Sequence, residues 1–88
     1  MKEKIIKLPS VDMEATGANI LRLRETKGIS VRKLQEYLNF STPQAIYKWQ
    51  NGISMPSLDH LLALSTLFGV SVDDILVRSY NYEIKISA

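Results

Sequence analysis

Ser30-Val-Arg-Lys-Leu-Gln-Glu-Tyr-Leu-Asn-Phe-Ser-Thr-Pro-Gln-Ala-Ile-Tyr-Lys-Trp-Gln-Asn-Gly52 is the stretch whose reading decides the fold. Ser30 is placed as an N-cap, because its hydroxyl can accept from a first-turn N–H that has no partner inside a helix. Behind it Val31, Leu34 and Leu38 recur at helical spacing with Tyr37 beside them, which gives a short helix with one inward stripe. Asn39 ends that helix, since Asn tolerates left-handed backbone better than any residue except Gly. Thr42 or Ser41 can cap a second helix with Pro43 in its first position, where the missing N–H costs nothing. Ile46 and Trp49 face inward, and Gly52 stops the chain turning.

Two capped short helices around a tight turn are the layout of a helix-turn-helix, which presents its second helix to the major groove of DNA. The pattern continues on both sides. Upstream, Thr16 is a plausible N-cap, Ile20, Leu23 and Arg24 recur at helical spacing, and Gly28 stops a first helix that runs to about Lys27. Downstream, Ser57 caps a fourth helix whose apolar set is Leu58, Leu61, Leu62, Leu64 and Leu67-Phe68. Gly69 closes it. Ser71 caps a short fifth helix, with Asp74 as its reciprocal partner. The predicted core is Ile20, Leu23, Leu34, Leu38, Ile46, Trp49, Leu58, Leu61 and Leu64.

The ends read differently. Residues 1–15 form a mixed-charge arm that contains Pro9 and the β-like run Lys4-Ile-Ile-Lys-Leu8. Residues 78–88 form a tail in which Tyr80, Tyr82, Ile84 and Ile86 alternate with Asn81, Glu83 and Lys85, a strand signal of period two. A lone strand is not stable. The two stretches can pair within one chain or across a dimer interface. The expected organisation is therefore arm 1–15, helical domain 16–77 and strand-like tail 78–88.

Composition narrows the function. Eighty-eight residues with 45% hydrophobic and 23% charged side chains describe one ordinary globular domain. The absence of cysteine rules out a disulfide framework and a thiolate nucleophile or metal site. His60, the one histidine, has no second ligand and reads as surface or helix-cap duty. Asp73-Asp74 sit in a first helical turn, where acids suit the helix dipole. No nucleophile–base set and no glycine-rich phosphate loop is present, so an enzyme, a cofactor, a metal and a small-molecule ligand are not expected. No apolar run of membrane-spanning length or secretory core occurs, and the expected compartment is the cytoplasm.

The formal charge of +2 hides an asymmetry. Residues 16–52 hold six bases (Arg22, Arg24, Lys27, Arg32, Lys33, Lys48) against Glu25 and Glu36. Residues 53–77 hold Asp59, Asp73 and Asp74 and no Lys or Arg. One part of the chain can meet a polyanion that another part would repel.

The ordered set Ile20, Leu23-Arg24, Gly28-Ile29-Ser30, Leu34, Leu38, Ser41, Ile46, Trp49, Asn51-Gly52, Pro56-Ser57-Leu58, Leu61, Leu64 and Phe68-Gly69-Val70-Ser71 resembles the lambda-repressor/Cro-type (XRE-like) helix-turn-helix family over residues 17–77. The resemblance implies an all-α, compact five-helix domain that dimerises on operator-like double-stranded DNA and regulates transcription, here as a repressor. The same scaffold also occurs in antitoxins and protein-interaction modules, which is the alternative. There are departures from the family pattern. Val31 stands where a polar phosphate anchor is common, Lys33 where an acid is common, and Gln50 where a Glu commonly pairs with the Arg matching Arg24. The turn Asn39–Pro43 is one residue longer than usual.

With Ile46 and Trp49 inward, the residues left to read bases are Thr42, Gln44, Tyr47 and Lys48. Gln suits an adenine edge and Lys the guanine acceptors. For Tyr47, packing on the preceding helix is the competing expectation. Arg32, Lys33, Ser41 and Asn51 are candidate phosphate contacts, which position a domain without specifying sequence. Arg24 is expected to bridge the first helix to the end of the third. A homodimer would join through helices four and five or through the tail.

Overall fold

The computed structural model describes residues 2–87. The chain runs β1 (Glu3–Val11), α1 (Met13–Thr26), α2 (Val31–Tyr37), α3 (Gln44–Gln50), α4 (Leu58–Phe68), α5 (Val72–Ile75) and β2 (Arg78–Ser87). Five helices are in place as expected. "All-α" is too narrow a description, because the terminal segments form strands of nine and ten residues.

Local chemistry sets most of the boundaries. Ser30 Oγ accepts from the Lys33 amide, and Ser57 Oγ from the His60 amide. Ser71 and Asp74 make the reciprocal capping box. Asn39 adopts φ 57°, the one left-handed non-glycine residue among those described. Two caps differ from the sequence reading. Asp12, not Thr16, caps α1, accepting from the Ala15 amide at 2.9 Å, so the helix starts inside the expected N-terminal arm. Neither Ser41 nor Thr42 caps α3. Pro43 occupies the N-cap position and offers no side-chain acceptor.

Thr16 is fully buried instead. Its Oγ1 accepts from the Val77 amide at 2.9 Å, tying α1 to the start of β2. The Asp12 amide donates to the Val77 carbonyl at 2.8 Å, and Asn19 Nδ2 donates to the carbonyls of Asp74 and Ile75 at 2.7 and 2.9 Å. These bonds satisfy the last carbonyls around α5 and anchor the root of the strands on α1.

The core consists of Ile20, Leu23, Leu34, Ile46, Trp49, Leu61, Leu64, Phe68 and Ile75. Leu38 is half-buried against it. Leu58, expected in the core, is 80% exposed. At 100° per residue Leu58 lies about 90° from the centre of the stripe Leu61–Leu64–Phe68, and Leu62 about 125°. Both point outward from α4.

β1 and β2 pair antiparallel within the chain, from Glu3 opposite Ser87 through Ile6 opposite Ile84 to Val11 opposite Arg78. The register shifts between Leu8 and Ser10, around Pro9, which has no N–H to give the ladder. The ribbon projects from the helices. The molecule measures 57 × 23 × 20 Å, and its radius of gyration of 16.2 Å exceeds the roughly 12 Å of a compact chain of this length.

Candidate nucleic-acid interface

α3 is held from behind by backbone and aromatic contacts. Where α1 crosses its end, Gly17 leaves no room for a side chain: a Cβ there would lie 2.2 Å from the Trp49 carbonyl oxygen. At Gly52, a Cβ would lie 2.8 Å from Glu14 Cα. Arg24 Nε donates to Gln50 Oε1 and Nη1 to the Ile29 carbonyl, each at 2.9 Å. The bridge from helix 1 to the end of helix 3 is therefore present, as a hydrogen bond to an amide. It also ties down the α1–α2 loop.

The turn between α2 and α3 has its own support. Gln35 Nε2 donates to the Phe40 carbonyl at 3.2 Å, and the Phe40 amide returns to the Gln35 carbonyl at 3.0 Å. Phe40 packs edge-on to Trp49 and His60, with centroids 5.7 and 4.9 Å apart. His60 Nδ1 lies 3.0 Å from Ser57 Oγ. The sequence reading of His60 as cap or surface captured the Ser57 contact and missed the aromatic one. Trp49 is 3% exposed, a core residue as expected.

The forward side of α3 is open. Gln44, Tyr47, Lys48 and Asn51 are all exposed. Their spacing (i, i+3, i+4, i+7) puts them on one stripe, opposite Ile46 and Trp49. Tyr47 is 48% exposed, which leaves part of its ring and side chain open to a ligand. This stripe offers an amide, a phenol, an ammonium group and a second amide over two helical turns. Those groups can donate to and accept from base edges and phosphates. Ser41 and Thr42, just ahead of it, are exposed as well.

Arg32 and Lys33 lie on the first turn of α2. Their side chains are 90% and 58% exposed, with Glu36 Oε atoms at 3.9 and 3.5 Å. Such solvated pairs are worth about 0–1 kcal/mol, so both cations can exchange Glu36 for another anion at little cost. Lys33 Nζ also stands 6.0 Å from the Tyr37 ring centroid.

Gly17, Gln35 and the Phe40–Trp49–His60 cluster escaped the sequence reading. A helix-interior Gly is a signal that could have pointed to close packing. The partners of Gln35 and Phe40 depend on a turn geometry that the sequence leaves open.

Comparison with known proteins agrees with this geometry. A helix-turn-helix family model (HTH_3) matches residues 20–75. No curated protein matches the chain. Among solved structures, the clp gene regulator ClgR from C. glutamicum is 28% identical, with a TM-score of 0.62 over 72% of this chain and 80% of that one. The restriction-modification controller protein C.AhdI from Aeromonas hydrophila is 22% identical, with a TM-score of 0.64 over 73% and 96%. The S. venezulae BldD DNA-binding domain is 20% identical, with a TM-score of 0.62 over 74% and 96%; these last two show likeness of fold. With the match running from the second half of α1 through α5 and across the turn Asn39–Pro43, the chain belongs to the helix-turn-helix family of the lambda-repressor (XRE) type.

Proposed function

We propose that this protein is a sequence-specific DNA-binding transcriptional regulator that lays α3 in the major groove. The observation that carries this reading is the exposed stripe Gln44–Tyr47–Lys48–Asn51 on a helix whose opposite side is pinned by Gly17, Arg24 and the aromatic cluster. A reading head has to be outward and rigid at once, and α3 is both. Gln44 takes an adenine edge, Lys48 a guanine, and Tyr47 a thymine methyl or a phosphate, with Thr42 at the leading end. Arg32, Lys33, Ser41 and Asn51 hold the flanking phosphates. Seated there, the domain excludes other proteins from the same duplex, which is repression. Two copies on two half-sites about 34 Å apart give a single small domain the contact area an operator needs.

The test is selection from a random duplex library with the wild type, Gln44→Ala and Lys48→Ala. The wild type should enrich one motif, and each variant should lose preference at one position per half-site, a discrimination of about 1–3 kcal/mol. Affinity should fall with salt at a log–log slope of about −4 to −5, for four to six phosphates neutralised per dimer. Folded protein that enriches nothing would refute the reading and favour a protein-binding role. Reporter expression from a promoter carrying the selected motif should change when the protein is present.

A further inference from the structure

Residues opposite one another in the β1–β2 ladder share a face. One face carries Glu3, Ile5 and Lys7 opposite Ser87, Lys85 and Glu83, a mixed polar surface. The other carries Ile6, Leu8, Tyr82, Ile84 and Ile86, with Lys4 at its outer end. These five apolar residues are between 37% and 64% exposed. A two-stranded ribbon is marginal in water unless something covers its apolar side. α4 differs: Leu58 and Leu62 are also exposed, but Leu61, Leu64 and Phe68 hold that helix on the core without help.

We propose that the apolar face of the ribbon is the contact between two copies of the chain, ribbon against ribbon about a two-fold axis. This rests on the reading that two copies occupy two half-sites. On the fractional exposures of the five residues, each copy leaves on the order of 400–450 Å² uncovered, so a face-to-face pair that also covers the Lys4 stems would bury on the order of 900 Å², a small interface close to the roughly 1,000 Å² a specific contact needs. Each ribbon presents the same strip, as a two-fold contact requires. Lys4 lies at the rim, where its ammonium group stays in water while its stem packs. The family match spans residues 20–75, so the ribbon is an addition to the matched domain, separate from the stripe on α3.

The experiment is sedimentation equilibrium of the full chain and three variants. Ile6→Lys places a charge in the face. Ile5→Lys makes the same change one residue away on the opposite face of the same strand, and Leu62→Lys tests α4. The wild type should be dimeric at micromolar concentration. Ile6→Lys should weaken association at least about tenfold, while Ile5→Lys and Leu62→Lys stay within about twofold. Circular dichroism should show the same helical content in all four. A wild type that is monomeric at about 100 µM overturns the proposal. So does equal loss in Ile5→Lys and Ile6→Lys, or monomerisation by Leu62→Lys alone. Binding to a duplex with a single half-site separates this from the DNA reading. Ile6→Lys should bind it as the wild type does. If no protein binds any duplex yet the association pattern holds, only the DNA reading falls.

Discussion

Replacing Gly17 with alanine adds one methyl group where α1 crosses α3. Helix propensity alone predicts a gain of about 1 kcal/mol. The structure predicts the opposite sign. The new Cβ would sit 2.2 Å from the Trp49 carbonyl oxygen and 2.9 Å from that of Gln50, inside the 3.0 Å below which something must shift. Both oxygens belong to backbone, so relief requires α1 and α3 to separate by close to 1 Å, and Ile46 and Trp49 move with α3. Overpacking of this kind costs about 1–3 kcal/mol and sometimes more. Because both oxygens are backbone, the upper end of that range, about 3 kcal/mol, applies; less the propensity gain of about 1 kcal/mol, it leaves a net loss of about 2 kcal/mol, lowering Tm by about 8–16 °C in a domain of this size. Urea and thermal melts can follow Trp49, the one tryptophan, which lies at the crossing itself. DNA affinity should fall with stability, because α3 is what moves. A Gly17→Ala protein about 1 kcal/mol more stable than wild type would refute the close crossing.

Thr16→Val keeps the shape of a fully buried side chain and removes the acceptor for the Val77 amide. It should cost about 1–3 kcal/mol, with faster hydrogen exchange at Val77 and along the adjoining strand, read by NMR. Gln50→Glu would give Arg24 a carboxylate in place of an amide. A gain of about 0.5–1 kcal/mol is expected in urea melts at low salt, shrinking in 1 M salt, to about a 3 Å screening length. Leu58→Ser should change stability by no more than about 0.5 kcal/mol, whereas Leu61→Ala should cost about 2–5 kcal/mol.

What the sequence made legible was local chemistry. Ser30, Ser57 and Ser71 each had only to reach an amide three residues on, and Asn39 only to bend its own backbone. The outward residues of α3 followed from the inward ones, because 3.6 residues per turn leaves no other place for Gln44 and Lys48. The misreadings were contests between local and distant partners. Thr16 looked like a cap because its hydroxyl could serve as one. Asp12 takes that role, and the hydroxyl bonds Val77, 61 positions away. Leu58 looked like core because the leucine-rich run on α4 is dense. Which of its leucines are covered depends on what packs over the first turn. The strands were legible as a pattern, yet their pairing within one chain was open until the register was seen.

The central claim is that the outward stripe of α3 enters the major groove, and base methylation in the bound complex tests it most directly. Dimethyl sulfate attacks guanine N7 in the major groove and adenine N3 in the minor groove. On a selected duplex the protein should protect guanine N7 in two patches about one helical turn apart, with one protected guanine per patch lost in Lys48→Ala. Adenine N3 should stay reactive beneath those patches. Protection of adenine N3 with guanine N7 left open would contradict the account.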